Sequence, residues 1–410
     1  MVLSEALGCG GEGLPRPTGP TPVGPIVLPA SQTVGGPSRP LGKNDGPRFS
    51  GVAEIEVGNS FCSGSFVVSP ALDLTVDGPA YLFTSGHCIL GVDYEANAVW
   101  LDVGLNPQRN GVTFRQFADS PDSAVMVGVQ RIAFATMKGA DLAVVEMTTS
   151  RQQLRQEGIV PFVLAEVPPA LDAEIALAGF VLSSPSLVAC RLRWRAPMVL
   201  EWKCHWYDVD ADDCLDIMPG ASGSAMLSLA TGQFFGVLGT QTSPVYQDWP
   251  CVLNEPCEAG GSGLRLMMGT NYSAPVSGLG ACFDDLGRFD IELPACPLDS
   301  GNQMQPSTTE NSLAATPGVT LLLQVLLDNR GLTHYRYRVV PAGSDDCRDT
   351  AGYGPAIAWT DAPAIQATVP GDAGRSLVCI QAGLSSDPSG PGWQDPGKPT
   401  VVVVEVYQPH

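Results

Sequence analysis

Three short segments of this 410-residue chain carry the side chains that nucleophilic acyl transfer requires. His87 follows the run Tyr81-Leu82-Phe83-Thr84-Ser85-Gly86 and precedes Cys88. Asp141 stands directly ahead of Leu142-Ala143-Val144-Val145. Ser222 lies within Asp216-Ile217-Met218-Pro219-Gly220-Ala221-Ser222-Gly223-Ser224-Ala225. An imidazole can take the proton of a hydroxyl, and a carboxylate can orient that imidazole through its Nδ1–H. A carboxylate entering an apolar strand is costly to bury alone, so Asp141 needs such a partner. Gly220 and Gly223 allow a tight turn and a close approach of a substrate backbone. Asp-Leu-Ala and Gly-x-Ser-Gly are each common; the specificity lies in the trio and its order.

The elements that must position these residues read as short strands. Apolar runs such as Phe61 to Val68, Ala80 to Thr84, Leu142 to Met147, Ile175 to Leu182, Leu187 to Trp202 and Gln233 to Thr240 are separated by Gly, Pro, Asn, Asp or Ser. One short helix is expected near Arg151 to Glu157. With 46 Gly and 36 Pro, the composition favours a loop-rich all-β protein.

The three segments resemble those of the trypsin-like, chymotrypsin-fold serine proteases. Thr84-Ser85-Gly86-His87-Cys88 is similar to the family's Thr-Ala-x-His-Cys, Asp141-Leu142-Ala143 to its Asp-Ile/Leu-Ala, and Gly220-Ala221-Ser222-Gly223-Ser224 to the nucleophile loop of its bacterial secreted members. The order His, Asp, Ser is that of this family rather than of subtilisins or α/β-hydrolases. The resemblance implies two six-stranded antiparallel β-barrels and a triad of His87, Asp141 and Ser222. It also implies an oxyanion hole from the N–H groups of Gly220 and Ser222, and a Cys62–Cys88 disulfide. Animal trypsins carry Asp before the serine; Ala221 stands here, and no Ile-Val-Gly-Gly segment is present, so their zymogen switch is not expected.

The primary pocket would be lined by Asp216 and by the strand carrying Gly239 and Thr240. Asp216 reads either as an acid pairing a cationic substrate side chain or as a structural acceptor. Leu238 and Thr240 replace the histidine expected in glutamyl-specific relatives, which disfavours a preference for Glu.

The chain divides into a Pro/Gly-rich leader and tether at 1–45, a protease domain at 46–300, a linker at 301–316 and a β-sandwich at 317–410. That last segment resembles bacterial Ig-like or fibronectin-type modules, with Cys347 and Cys379 as a pair. Twelve cysteines without Cys-x-x-Cys spacing indicate disulfides in an oxidising compartment, not a zinc site. Cys251 pairs with Cys257 and Cys282 with Cys296 by proximity. Cys190, Cys204 and Cys214 compete for one bond, with Cys190–Cys214 favoured.

The run from Ala6 to Glu12 resembles the end of a bacterial lipoprotein signal with Cys9 as the lipidated residue, against a leader with an incidental cysteine. The disulfides imply an extracellular or bacterial cell-envelope location. A formal charge of −20 opposes binding to nucleic acid or an anionic membrane surface, and no apolar run is long enough for a transmembrane helix. A protein or peptide substrate, a monomer and no cofactor or metal are expected. The run Asp208 to Asp213 lacks the EF-hand pattern and reads as a solvated acidic loop, with an irregular Ca²⁺ site as the alternative. His205, His334 and His410 read as surface residues.

Overall fold

The computed structural model describes residues 24–407 except 92–95, 121–122, 244–250, 261–262, 299–305, 309–311, 315–319, 328–331, 344–346, 360–363, 372–373, 391–392 and 394–398. Cys9 and His410 lie outside the described residues.

Two sheets each close on themselves. The first barrel consists of β1 (Val52–Val57), β2 (Ser60–Val68), β3 (Pro79–Thr84), β4 (Gly111–Phe114), β5 (Val125–Thr136) and β6 (Leu142–Ser150). Its order is β2-β1-β4-β5-β6-β3, with β3 returning to β2 through Ser65 opposite Phe83 and Phe66 opposite Leu82. The second consists of β7 (Glu174–Val181), β8 (Ser184–Glu201), β9 (Cys204–Asp212), β10 (Ala225–Ser228), β11 (Phe234–Gln241) and β12 (Asn271–Pro275). Here the order is β8-β7-β10-β11-β12-β9, and β9 pairs back to β8. The main helices are brief: α1 (Gly86–Leu90) and α2 (Arg151–Gln156), the latter started by a reciprocal Ser150–Gln153 capping box.

The strands that meet at the barrel junction are apolar on both faces, which is why they read as continuous hydrophobic runs. Successive side chains alternate across a strand. In β3, Ala80 and Leu82 enter the interior of the first barrel, while Tyr81 and Phe83 face the core shared with the second. In β7, Ile175 and Leu177 enter the second barrel, while Ala176 and Ala178 face the shared core. Phe83 and Phe234 meet edge to face across the junction at 6.2 Å between ring centres. Fully burying side chains of this size contributes roughly 1.5–3 kcal/mol each, so the junction is a stable platform for residues at the strand ends.

Beyond the barrels, a three-stranded sheet (Pro306–Thr308, Thr320–Leu327, Ala364–Pro370) faces a five-stranded one (Ser312–Ala314, His334–Pro341, Ile357–Ala358, Gly374–Gly383, Thr400–Tyr407). Ala367 and Val369 from one sheet pack with Val378, Ile380, Val402 and Val404 from the other.

Several expectations are corrected. The tether does not run to residue 45: from Gly24 onward the chain packs on the barrels, with Ile26 and Leu41 buried and Arg39–Pro40 paired to β8. Prolines keep this segment extended, and an extended chain can be buried along a sheet as readily as it can hang free. The linker is likewise shorter, because Pro306–Thr308 and Ser312–Ala314 are strands of the two C-terminal sheets. Asp208 to Asp212 is not a solvated loop but the end of β9, where Asp210 accepts from Arg195 Nε at 2.9 Å and Asp212 from Asn271 Nδ2 at 2.7 Å. His205 on the same strand is fully buried against Tyr207, and His334 is half-buried.

Candidate active site

His87 sits in the first turn of α1, at the end of β3, and Asp141 immediately precedes β6, the neighbour of β3. Adjacent strand ends therefore bring the two side chains together. Asp141 Oδ2 lies 2.7 Å from His87 Nδ1, and Oδ1 accepts from the His87 backbone N–H at 2.9 Å. The Asp141 side chain is only 4% exposed, whereas that of His87 is 28% exposed. One carboxylate thus holds the imidazole at both ring and backbone, and Nε2 lies 3.7 Å from Cys88 Sγ. Burial works against a charged His87, but the charge and hydrogen bond of Asp141 outweigh it, with help from Glu201, and its pKa is raised above the ordinary 6.5.

Ser222 comes from the second barrel, in the turn that leads into β10. Gly220 and Gly223 take φ of +95° and +87°, a region L side chains enter at a cost, and a Cβ on Gly223 would lie 1.9 Å from Ser63 O. Trans peptides point C=O and N–H in opposite directions. Pro219 O accepts from Leu182 N–H at 3.0 Å and Ala221 O from Ser224 N–H at 2.9 Å, so both carbonyls are turned aside. The N–H groups of Gly220 and Ser222 point the other way, and neither has an acceptor among the described residues.

Ser63, beside Cys62 on β2, fastens this turn to the first barrel. Its N–H donates to Ser222 O at 2.8 Å and its hydroxyl to Gly220 O at 2.9 Å, while Phe180 N–H donates to Ser63 Oγ at 2.7 Å. The Cys62–Cys88 disulfide ties the strand holding Ser63 to the helix holding His87. Nothing in the sequence distinguishes Ser63 from other strand serines; only the fold places it against the turn.

Asp141 and Ser222 both approach β11 at Gly239. Gly239 approaches Asp141 so closely that a Cβ there would lie 2.9 Å from Oδ2, and its carbonyl is 3.4 Å from the Ser222 hydroxyl. In this structure that hydroxyl donates to Gly239 O and no hydrogen bond joins it to His87. Thr240, the next residue, is partly buried, and its side chain helps draw the carboxyl pKa of Glu201 down.

Glu201 escaped the sequence reading. It ends β8, is 3% exposed, and accepts from Asn254 N–H at 2.6 Å. Burial pushes its carboxyl up to about 7, against the pull of Asn254, Thr240 and His87 and with the added repulsion of Asp141. A lone Glu before Trp202 carries no sequence signal of such an environment. Asp216, by contrast, is exposed, with φ of +60°, and accepts from Ser38 N–H at 3.0 Å. Its carboxylate thus lies at the surface against the segment at 24–41 rather than buried.

Two groups of possible metal ligands occur among the described residues, Cys62-His87-Cys88 and Cys190-Asp212-Cys214. The cysteines of each group are joined as a disulfide, which removes the thiolates a metal would need. Cys251–Cys257, Cys282–Cys296 and Cys347–Cys379 complete the five disulfides, and Cys204 is buried outside them. Among the described residues, no helix is long and apolar enough to cross a membrane.

The paired six-stranded barrels, with the candidate site at their junction, are the chymotrypsin-like fold. No protein-family model matches the chain, and neither does any curated protein. Solved structures similar to it include human heparin binding protein, with 14% identity over 60% of this chain and 93% of that one at a TM-score of 0.35. The MamO protease domain from Magnetospirillum magneticum has 13% identity over 56% of this chain and 93% of its own, also at 0.35. The thermostable serine protease AL20 from an extremophilic microorganism has 12% identity, with 58% and 95% covered and a TM-score of 0.34. The fold assignment rests on the strand order given above.

Proposed function

We propose that the protein is a serine endopeptidase of the secreted, trypsin-like type, acting through an acyl-enzyme at Ser222. The observation that carries this reading is the two-point hold of Asp141 on His87, 2.7 Å to Nδ1 and 2.9 Å from the backbone N–H, beside a glycine-flanked serine. His87 Nε2 takes the proton as Ser222 Oγ attacks the peptide carbonyl. The Gly220 and Ser222 N–H groups receive the developing oxyanion, each donor of this kind contributing about 3 kcal/mol. His87 returns the proton to the departing amine, and water, deprotonated by the same imidazole, releases the acyl group. No metal or organic cofactor enters these steps. Five disulfides support an oxidising compartment outside the cytosol, and a lipid anchor at Cys9 is one way the chain would be held at a cell envelope.

A fluorophosphonate probe tests the reading. Wild-type protein at neutral pH should be labelled and Ser222→Ala should not; an unlabelled wild type sinks it. One observation favours a second reading, a binding or adhesion protein on the same fold: the Ser222 hydroxyl is turned to Gly239 O rather than to His87. Catalytic hydrogen bonds commonly tighten only with substrate bound, and a casein digest separates the two.

A further inference from the structure

The strands Gly374–Gly383 and Thr400–Tyr407 of the five-stranded C-terminal sheet are buried on both faces. Val378, Ile380, Val402 and Val404 face the smaller sheet. The alternate residues Leu377, Cys379, Val401 and Val403 pack instead with Met198, Leu200 and Ala259, which belong to β8 and the strand after the Cys251–Cys257 loop. The Cys347–Cys379 disulfide lies on this outer face, not between the two C-terminal sheets. A free-standing sandwich would leave that face polar.

Polar contacts direct the packing at two loops. Asn97, between α1 and β4, donates from Nδ2 to Val401 O at 2.8 Å and accepts from Val401 N–H at 3.3 Å. Arg375 Nη1 donates to Cys251 O at 2.8 Å, the same carbonyl that accepts from Trp202 N–H at 2.8 Å. Asn254, in that disulfide-closed loop, donates its N–H to Glu201 at 2.6 Å, and Glu201 in turn is influenced by the side chain of Thr240, the neighbour of Gly239. These contacts thus run from Arg375 toward the strand that Asp141 and Ser222 approach. Arg348 adds an ion pair to Asp208 at 2.7 Å and lies over the Tyr207 ring.

We infer that the C-terminal module is a working part of the catalytic unit: it clamps the Asn97 turn and the Cys251–Cys257 loop, and so fixes Thr240 from behind through the buried Glu201. This rests on the peptidase reading and adds a role for the module within it. Thr240 and Gln241 pair with β12 on one side of a bulge at Gly239, while the pairing of β11 to β10 ends at Val237. Among the described residues no strand pairs with their other edge, which suits it to an extended peptide added as a strand. A substrate long enough to lie along that edge feels the clamp; a single-residue ester does not reach it.

The test uses the full-length chain with Arg375→Ala, and with Arg375→Ala combined with Asn97→Ala. For a peptide ester extended by several residues on the acyl side, KM should rise roughly tenfold, a change of about 1.4 kcal/mol, while a single-residue ester responds much less. Equal responses of the two substrates, or none, overturn the inference. Calorimetry keeps the test independent of catalysis: barrels and module should unfold in one cooperative transition, and two separated transitions overturn the clamp even in an inactive protein. Absent probe labelling of wild type would instead count against the peptidase reading alone.

Discussion

Asp141 grips His87 twice, with Oδ2 at 2.7 Å from the ring Nδ1 and Oδ1 at 2.9 Å from the backbone nitrogen. The ring is thereby fixed in the tautomer that carries its proton on Nδ1 and leaves Nε2 free to accept one. The second bond also pins the first turn of α1, so the acid positions the base and the segment that bears it. This relationship underlies the first two predictions.

Asp141→Asn keeps the shape but can present an amide donor to Nδ1, favouring the wrong tautomer. The turnover number on a peptide substrate should fall about 10⁴-fold, with the fold retained. Steady-state kinetics beside a thermal melt checks this; a loss under tenfold would show that the pair does not serve catalysis.

The acid limb of the kcat/KM profile should lie above the ordinary histidine value of 6.5, because His87 must be neutral to act and Asp141 and Glu201 favour its charged form. Removing the Glu201 charge lowers the His87 pKa, so Glu201→Gln should move the limb to lower pH. A limb unmoved by that substitution contradicts the electrostatic link between the two residues.

Stability should fall as pH rises. Glu201 ionises near 4.5 when unfolded but only at about 7 when folded, so between these values the unfolded chain alone gains charge. Below both values the carboxyl is neutral in each state and contributes nothing; above both the cost is complete, on the order of 3 kcal/mol. Asp212, also raised to about 7 by burial, acts in the same direction, and His87, whose pKa is raised, loses its stabilising contribution as pH rises. The melting temperature should be higher at pH 5 than at pH 8, and Glu201→Gln should flatten the dependence.

Replacing both Cys62 and Cys88 by Ser opens a loop of 26 residues in sequence separation. Denaturant unfolding should show a loss of about 3 kcal/mol. Probe labelling should slow as well, since the bond joins the strand of Ser63 to the helix of His87.

Asp216→Ala should leave the relative cleavage of Lys, Arg and neutral substrates within about threefold, because its exposed carboxylate bonds Ser38 N–H. A peptide-library profile measures this; a lost preference for basic residues would place Asp216 in the pocket after all.

Much of this protein was legible in its sequence. His87, Asp141 and Ser222 each sit at a boundary between an apolar run and small residues, and strand ends at a barrel junction produce that pattern. The five cysteine pairs could be read because four are local or match a family framework, and because Cys204 was the competitor left over. Composition misled where burial follows from tertiary pairing rather than residue type. The prolines at 24–41 suggested a free tether, yet an extended chain fits along β8. The Asp208–Asp213 run suggested solvent, yet Arg195 and Asn271 neutralise or bond its buried members.

Residue order alone determined the fold class, the candidate triad and its local frame, because period-two burial, turn glycines and disulfide spacing are local properties written in the chain. Only the tertiary structure decided what lies beside the triad: Ser63 under the nucleophile turn, Glu201 behind Thr240, Asp216 at the surface, and a C-terminal sheet pressed on the barrel. Those contacts join residues far apart in sequence, and their chemistry arises from burial and charge that no single segment carries.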